Sequence, residues 1–284
     1  SVRMVGSMNG TIYMPVGEVC SSISDTYREK KNMVTLINTS DVLEGRVLNH
    51  ERVPNSNLKG QFKKTFQRDD ILYSEIRPQN RRFAYVDFSP IDYVASTKLM
   101  VIRAKKDVVS PKYLYYFLKN SSTVAELQLL AETRSGTFPQ ITFSEVANLT
   151  IPVPSLAVQE VIVQTMQCLE DKITCNEQIN DNLQQQAQAI YSSMFIDNSE
   201  SAWTHGHLSD LVTVKYGKDH KKLSEGIYPV YGSGGIMRYV ERPLYDKESV
   251  LIPRKGTLNN VMYVNQPFWS VDTMFYTEMK LPNV

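Results

Sequence analysis

The most regular pattern of apolar and polar positions lies in a run without glycine or proline, from Leu156 to Phe195. Apolar side chains recur along it at alternating spacings of four and three residues, which is typical of a helix that pairs with another in a coiled coil. Two interleaved seven-residue series form the predicted seam: Ile162, Leu169, Asn176, Leu183 and Ile190, with Met166, Ile173, Asn180, Ala187 and Met194. The pattern predicts a helix roughly 60 Å long that acts as a spacer.

A helix of this kind needs a partner to cover its seam. Burying one leucine or isoleucine side chain stabilises a fold by about 1.5–3 kcal/mol, and the seam carries roughly seven large apolar groups. The sequence has no second heptad run, so we expect the partner to be a second copy or a segment outside this sequence. The seam asparagines, Asn176 and Asn180, would weaken such a pair but favour the register in which they meet. The alternative is that both amides face solvent.

Shorter alternating runs on both sides of the helix predict strands separated by turns rich in proline, asparagine and glycine. They include DILYSEI, FAYVDF and KLMVIRA before the helix and VMYVNQ after it. One further helix is predicted over residues 111–132, with Pro111 near its start. Just before the long helix, Pro152 and Pro154 favour an extended segment, and Ser155 can cap the helix. These elements predict an α+β protein with mixed, mostly antiparallel domains.

The segments before and after the long helix also resemble each other, which indicates an internal repeat. The aligned pairs are Ile71–Tyr73 with Val250–Ile252, Ala84–Val86 with Met262–Val264, Arg77 near Arg254, and VGEVCSSIS with LSDLVTVKY. We therefore predict a first domain over residues 1–153, the helix over 154–197 and a second domain over 198–284. The second copy has no counterpart of the first copy's sequence after Pro111, so we expect this second domain to be incomplete.

Composition fits an ordinary globular protein, but its charges are segregated. Of the 284 residues 42% are hydrophobic and 21% charged, and no apolar run reaches the roughly 18 residues of a membrane span. We therefore expect a cytoplasmic protein that does not span a membrane. From Glu51 to Asn120, 14 lysines and arginines stand against 7 acids, whereas from Leu156 to Glu200 one lysine stands against 7 acids. This segregation favours one surface for a polyanion and another for a protein.

Motifs for catalysis are absent from the sequence. The glycines of YGSGG lack the spacing of a dinucleotide or phosphate loop, and the Asn/Asp-Pro-Pro-aromatic motif of amino-methylating enzymes does not occur. His205 and His207 have no cysteine or acidic neighbours that would suggest zinc. Asp69, Asp70 and Glu75 are followed by an arginine rather than the spaced lysine of a metal-dependent nuclease. We expect no catalytic residues, no metal ligands and no cofactor.

Basic and amide side chains are better placed for recognition, because they crowd turn-rich segments in both copies of the repeat. Arginine and lysine bind phosphates, and arginine, asparagine and glutamine read guanine and adenine edges. The candidate DNA-binding residues are Lys59, Lys63, Lys64, Arg68, Arg77, Gln79, Asn80, Arg81, Arg82 and Arg134 in the first copy, and Lys218, Lys221, Lys222, Arg254 and Lys255 in the second. The alternative for any single residue is a solvated basic loop.

A family resemblance is most specific at GTFPQITFSEVANLTIPVPSLAVQEVI, which contains Gly136-Thr137, Ile141, Ile151–Pro154 and Gln159. The segments NEQINDNLQQQAQAIYSSMF, YPVYGSGGI and PRKG extend it over nearly the whole chain. With them the chain resembles the specificity subunits of Type I restriction-modification enzymes.

The resemblance implies two target-recognition domains that each read one half of a split site in double-stranded DNA. It also implies two long helices paired antiparallel, modification methyltransferase subunits docked on them, and restriction/translocase subunits that join the complex. Such a subunit is itself not catalytic, and the methyltransferase would flip the target adenine out of the stack. Without a second long helix in this sequence, a homodimer through the predicted helix is expected.

Two readings from other classes stay open on the sequence alone. A protein-interaction adaptor would explain the coiled-coil helix and its acidic balance, but not the matched basic loops. A lone methyltransferase or nuclease is disfavoured by the missing motifs.

Overall fold

The computed structural model describes residues 6–8, 11–29, 31–55, 60–133, 139–198, 203 and 206–280. It divides into two compact units, one up to Gln185 and one from Gln186 onwards. The division falls inside the long helix. Within the described ranges, no helix combines the length and hydropathy that crossing a bilayer requires.

Within its described residues the first unit contains thirteen strands and four α-helices, and a fifth, long helix begins in it. The strands are β1 (Gly6–Met8), β2 (Thr11–Pro15), β3 (Cys20–Ile23), β4 (Met33–Ile37), β5 (Val42–Leu43), β6 (Arg46–Val47), β7 (Val53–Pro54), β8 (Phe62–Lys64), β9 (Ile71–Ser74), β10 (Phe83–Tyr85), β11 (Tyr93–Ser96), β12 (Leu99–Ala104) and β13 (Thr150–Val153). The helices are α1 (Val16–Val19), α2 (Pro111–Lys119), α3 (Ser121–Thr133), α4 (Phe143–Asn148) and α5 (Leu156–Ser192).

These strands form a central sheet in the order β10-β9-β12-β3, a second sheet β7-β4-β11-β8, a small sheet β1-β2-β13 and the hairpin β5-β6. Every residue of β9 is buried, as expected for a central strand covered on both faces. The Tyr73 ring stacks on Phe83 across the β9–β10 pair at 5.4 Å. The pair β4–β11 is parallel.

The single helix predicted over residues 111–132 is two helices in the structure. Asn120 leaves the helical conformation, with φ −57° and ψ 138°, and its Oδ1 accepts a hydrogen bond from the backbone N–H of Ser122 at 2.9 Å. Asparagine competes in this way with the helical hydrogen bonds of its neighbours, so α3 begins afresh at Ser121. Pro111 occupies the first turn of α2, as predicted.

The second unit repeats part of this architecture after the end of α5. Its elements are α6 (Leu208–Leu211), β14 (Val212–Tyr216), β15 (Tyr228–Gly232), β16 (Gly235–Val240), β17 (Ser249–Pro253), β18 (Met262–Val264), β19 (Trp269–Ser270) and β20 (Met274–Met279). They form one sheet in the order β14-β20-β17-β18 and another in the order β16-β15-β19. The pair β15–β19 is parallel.

The predicted internal repeat is confirmed by strand order and register. The order β10-β9-β12-β3 in the first unit matches β18-β17-β20-β14 in the second. Ile71 pairs with Tyr85 and Val250 pairs with Tyr263, as the sequence alignment requires. A four-residue helix precedes the equivalent edge strand in both copies, as α1 before β3 and α6 before β14. The predicted mixed, mostly antiparallel α+β fold is confirmed with it.

The predicted long helix is also present. Helix α5 has 37 residues, which gives a length of about 55 Å, and a short π-helical turn over Ser193–Asp197 follows it. At its start the backbone carbonyl of Ser155 accepts the Gln159 N–H at 2.9 Å, and the Ser155 Oγ lies 3.5 Å from the Val158 nitrogen. The hydrogen bond from the Val158 N–H to Ser155 Oγ, which would cap the helix as the sequence suggests, is therefore long.

One face of α5 packs on the first unit. Gln159 and Val163 are buried there. One turn further on, Gln167 accepts a hydrogen bond from Lys112 Nζ at 2.8 Å. The Glu170 carboxylate then accepts one from Tyr116 Oη at 2.8 Å and pairs with Lys119. These contacts fix the first half of the helix to the unit that precedes it.

The predicted seam adjoins this packed face along α5, with Met194 in the π-helical turn that follows, and it is exposed in the single chain. Its large apolar side chains range from 37% exposed at Ile162 to 60% at Ile190, and Asn176 and Asn180 are exposed as well. All ten seam positions share this exposure: Ile162, Met166, Leu169, Ile173, Asn176, Asn180, Leu183, Ala187, Ile190 and Met194. Whether a second helix covers them stays a prediction.

Candidate nucleic-acid interface

Four loops of the second unit meet at one edge, which we call the loop edge (residues 217–222, 232–235, 254–260 and 270–273). Its centre is the turn between β19 and β20. The Lys218 N–H donates to the Ser270 carbonyl at 2.8 Å, and the Arg254 N–H donates to the Thr273 carbonyl at 3.0 Å. The indole N–H of Trp269 donates to the Lys218 carbonyl at 2.8 Å. Two basic segments that are far apart in sequence are thereby held on either side of one turn.

The loop after Arg254 is fixed by a close approach to the YGSGG turn. Gly256 has φ +82°, and a Cβ placed there would lie 2.4 Å from the Ser233 Oγ. Only glycine meets both conditions without strain. The amide of Asn260 adds a hydrogen bond to the Ser233 carbonyl at 2.8 Å. The glycine-rich turn, which lacks phosphate-loop spacing, thus serves as a support for a basic loop.

Arg254 is the most constrained cation of the loop edge. Its guanidinium carbon lies 5.1 Å from the centre of the Tyr216 ring and 5.7 Å from that of Phe275. Its Nη1 donates to the Asp272 carbonyl at 3.2 Å. Arg254 is nevertheless an exposed residue. The other predicted residues of this edge, Lys218, Lys221, Lys222 and Lys255, are exposed too.

In the first unit the predicted residues centre on a strained turn. Arg77 and Arg81 both have positive φ, 45° and 52°, on either side of a 3-10 turn over Pro78–Asn80. The Arg77 N–H donates to the Pro139 carbonyl at 3.1 Å, and the Gln79 N–H donates to Gln128 Oε1 at 3.2 Å. Such backbone conformations cost of order 1–3 kcal/mol each and cluster at functional sites. The turn exposes the side chains of Arg77, Gln79 and Asn80.

Three predicted cations of the first unit donate hydrogen bonds to other groups of the protein. Lys64 Nζ donates to the carbonyls of Thr97 at 3.1 Å and Leu99 at 2.8 Å, and burial lowers the pKa of Lys64. Arg82 Nη1 donates to the Ser40 carbonyl at 3.0 Å. Arg81 Nη2 donates to Ser121 Oγ at 2.8 Å. Their contacts fasten neighbouring segments, whereas Lys63 and Arg68 are exposed. Lys59 and Arg134 lie outside the described residues.

The carboxylates that suggested a metal-dependent nuclease are bound by cations of the protein. Asp70 is buried and receives two hydrogen bonds from Arg103, at 2.8 Å and 2.7 Å. Asp69 accepts from Lys106 at 2.6 Å and from Tyr85 at 2.8 Å. Burial raises the pKa of Asp69, but these hydrogen bonds outweigh it, and the net pKa is lowered. Across the described ranges no cluster of acids, histidines and cysteines is arranged to hold a metal ion.

Sequence reasoning missed several residues that shape these surfaces. Lys98 is an exposed cation beside the strained turn, 3.6 Å from Glu75 and 3.5 Å from Gln140. Tyr216 and Phe275 are strand residues that hold Arg254. The internal repeat gives no signal for these two residues, because Met100 stands at the position equivalent to Phe275.

Comparison with known proteins assigns the chain to a family and a fold. The Type I restriction modification DNA specificity domain matches residues 13–185. The HindI specificity subunit of Haemophilus influenzae (strain ATCC 51907 / DSM 11121 / KW20 / Rd) is 44% identical over 164 residues, which are 58% of this chain and 36% of that protein. The chain thus spans little more than a third of the length of this curated relative.

Solved structures show the same fold at low identity. A Type I restriction-modification S subunit from M. genitalium has a TM-score of 0.61 at 18% identity, covering 100% of this chain and 77% of that one. The HsdS subunit from Thermoanaerobacter tengcongensis has a TM-score of 0.54 at 16% identity, covering 96% and 76%. A chain from a study of complex assembly and conformational transition in a type I R-M system has a TM-score of 0.55 at 15% identity, covering 98% and 77%. Because the specificity domain matches residues 13–185, which are more than half of the chain, the chain belongs to the family of Type I restriction-modification DNA specificity proteins.

Proposed function

We propose that this protein is a DNA sequence-recognition subunit of a Type I restriction-modification complex, in which each repeat reads part of a split site. The observation that carries the proposal is the repeated placement of arginine. Arg77 follows β9 and Arg254 follows β17, which are equivalent strands of the two matching sheets. One sheet frame therefore presents exposed basic loops twice. A protein-interaction adaptor has no need for this arrangement.

The exposed candidates divide by the contact that each can make. Lysines such as Lys63, Lys218 and Lys255 are point charges suited to phosphates, whereas Arg77, Gln79 and Asn80 carry the forked or paired groups that read base edges. Each phosphate contact should add about 0.9 to the slope of log affinity against log salt concentration. Lys64 and Arg82 are bound internally, so their loss should act mainly through stability.

The protein supplies recognition rather than chemistry in this proposal. Modification methyltransferase subunits would dock on it and transfer the methyl group, and restriction/translocase subunits would join that complex. The exposed seam of α5 would be covered by a second long helix, and a second copy of the chain is the partner we expect. Two copies would then present the first repeat twice to the DNA.

Binding selections on purified protein test the proposal. The chain, alone and with its methyltransferase partner, is incubated with a random duplex pool at several salt concentrations, and bound duplexes are sequenced. We expect a short bipartite sequence to be enriched and affinity to fall steeply with salt. Absence of salt-dependent binding to any duplex would favour the protein-interaction adaptor. Methyl transfer by the chain alone would contradict a non-catalytic role.

A further inference from the structure

We infer that Arg254 is a specificity-determining residue that reads one guanine from the loop edge, held in position by Tyr216 and Phe275. The inference rests on the proposed function and names one base contact within it. The arginines of the chain differ in the groups that hold their guanidinium ions. Arg81 and Arg82 donate hydrogen bonds to Ser121 and Ser40, whereas Arg254 is held mainly by two ring faces.

The two rings contact the guanidinium without using its hydrogen-bond donors. The Tyr216 and Phe275 rings pack edge to face, with centroids 5.0 Å apart and an interplanar angle of 67°. Attraction between a cation and a ring face costs the guanidinium none of its five N–H donors. Among the described residues, Nη1 has one internal acceptor, the Asp272 carbonyl. The remaining donors form the fork that matches O6 and N7 of guanine.

The backbone beneath Arg254 is as well fixed as its side chain. Its N–H is bound to the Thr273 carbonyl, and two residues later Gly256 is pressed against Ser233. A side chain that contacts a base pays less conformational entropy when it is held in its bound geometry beforehand. A phosphate can also receive a bidentate pair from arginine, but loss of a phosphate contact weakens binding to selected and random duplexes alike.

The holding rings belong to the second repeat alone. Phe275 pairs with Ile252, and the equivalent ladder pair of the first repeat is Met100 with Tyr73. Continuing the register of β3 by one residue puts Ser24 at the position equivalent to Tyr216. Methionine and serine cannot hold a guanidinium in this way. The same sheet therefore carries different side chains at this edge in each repeat, as recognition of the two halves of an asymmetric site requires.

The test couples Arg254 to one atom of one base. Duplexes enriched by the full-length protein are remade with 7-deazaguanine at each guanine in turn, which removes the N7 acceptor. We expect one position at which wild-type affinity falls about 10- to 100-fold. At that position Arg254→Ala should bind the normal and substituted duplexes equally. Arg254→Lys should keep the salt slope but lose the preference for guanine, because lysine lacks the fork.

Two further variants separate the effect of the rings that hold Arg254 from the effect of surface charge in general. Tyr216→Leu removes one ring from an exposed position, since Tyr216 is 62% exposed, and it should reduce discrimination at the same guanine. Arg242→Ala removes an exposed arginine beyond the far end of β16, about 20 Å along the strand from the loop edge, and should leave discrimination unchanged.

The outcomes distinguish this inference from the proposed function. Equal weakening of selected and random duplexes by Arg254→Ala, or no weakening of either, would overturn the guanine contact while DNA recognition stands. Wild-type protein that binds no duplex in a salt-dependent way would overturn both.

Discussion

Gln159 provides the sharpest test of how the long helix is fixed to the first unit. Its side chain is completely buried. Its Oε1 accepts the Ser110 N–H at 2.8 Å, and its Nε2 donates to the carbonyls of Val108 at 3.1 Å and Pro154 at 2.9 Å. One amide thus joins the segment before α2, the segment before α5 and the first turn of α5 itself.

Replacing Gln159 with leucine keeps the volume and removes all three hydrogen bonds. The Ser110 N–H would lose its partner at a cost of about 1–3 kcal/mol, and each carbonyl would lose a bond with a net value of about 0.5–1.5 kcal/mol. New apolar burial by leucine offsets part of this loss. We expect the first unit to be destabilised by about 3 kcal/mol, which corresponds to a rise of about 100-fold in the population of its open state.

Hydrogen exchange of amides in β9 and β12 measures this loss in the first unit. Both tryptophans of the chain, Trp203 and Trp269, lie in the second unit, so tryptophan fluorescence follows that unit separately during urea unfolding. Gln159→Leu should accelerate exchange in the first unit and leave the fluorescence transition in place.

The matched control is Gln164→Leu, an exposed position on the same helix whose amide donates to Glu160 one turn earlier. If Gln159→Leu exchanges no faster than this control, the three hydrogen bonds do not hold the helix, and the reasoning is refuted.

Three further predictions concern acid stability, pairing and the second unit. The lowered pKa of Asp69 contributes stability that is present above the unfolded pKa, about 3.9, and is lost as the pH falls through the folded pKa. Asp69→Asn should therefore destabilise the protein to urea at pH 6 and much less at pH 3. An equal effect at both pH values would contradict this. Asn176→Leu with Asn180→Leu should tighten association of α5 in sedimentation experiments and blur its register, whereas crosslinks that report one unchanged register would count against the pairing prediction. Gly256→Ala should destabilise the second unit by about 1–3 kcal/mol in fluorescence-monitored unfolding, and Gly234→Ala, which meets no atom within 4 Å, should not.

The sequence predicts those features of the fold that are encoded over short distances. Helix α5 follows from the heptad pattern, and the repeat follows from the matched strand segments, because periodicity and self-similarity are local properties. The break at Asn120 is harder to predict, because an asparagine inside a helical pattern is tolerated when its side chain points to solvent. In the structure the Asn120 backbone leaves the helical conformation and its side chain accepts the Ser122 N–H.

The candidate DNA-binding surface is less predictable, because the sequence around a basic loop residue does not show whether its side chain bonds within the protein or faces solvent. Lys64 and Arg82 are as basic in sequence as Lys63, yet they donate to backbone carbonyls of the protein. Gln159 shows the opposite case: a polar residue in a helical pattern suggests exposure, but its partners come from distant segments. Tertiary hydrogen bonds decide these cases, and a single sequence does not contain them in readable form.

The two repeats also explain why the loops, rather than the sheets, should be the object of mutagenesis. Their ladders keep the same register, with Ile71 opposite Tyr85 and Val250 opposite Tyr263. What changes between them is the set of side chains at the strand ends, where Arg254 is clamped by rings. A rigid frame can therefore tolerate exchange of its loops without refolding the core. If loop residues of the first repeat were grafted onto the second with Gly256 retained, we would expect the base preference to change while the unfolding transition followed by Trp269 stays nearly constant. A graft that unfolds the unit would mean that frame and loops are not separable.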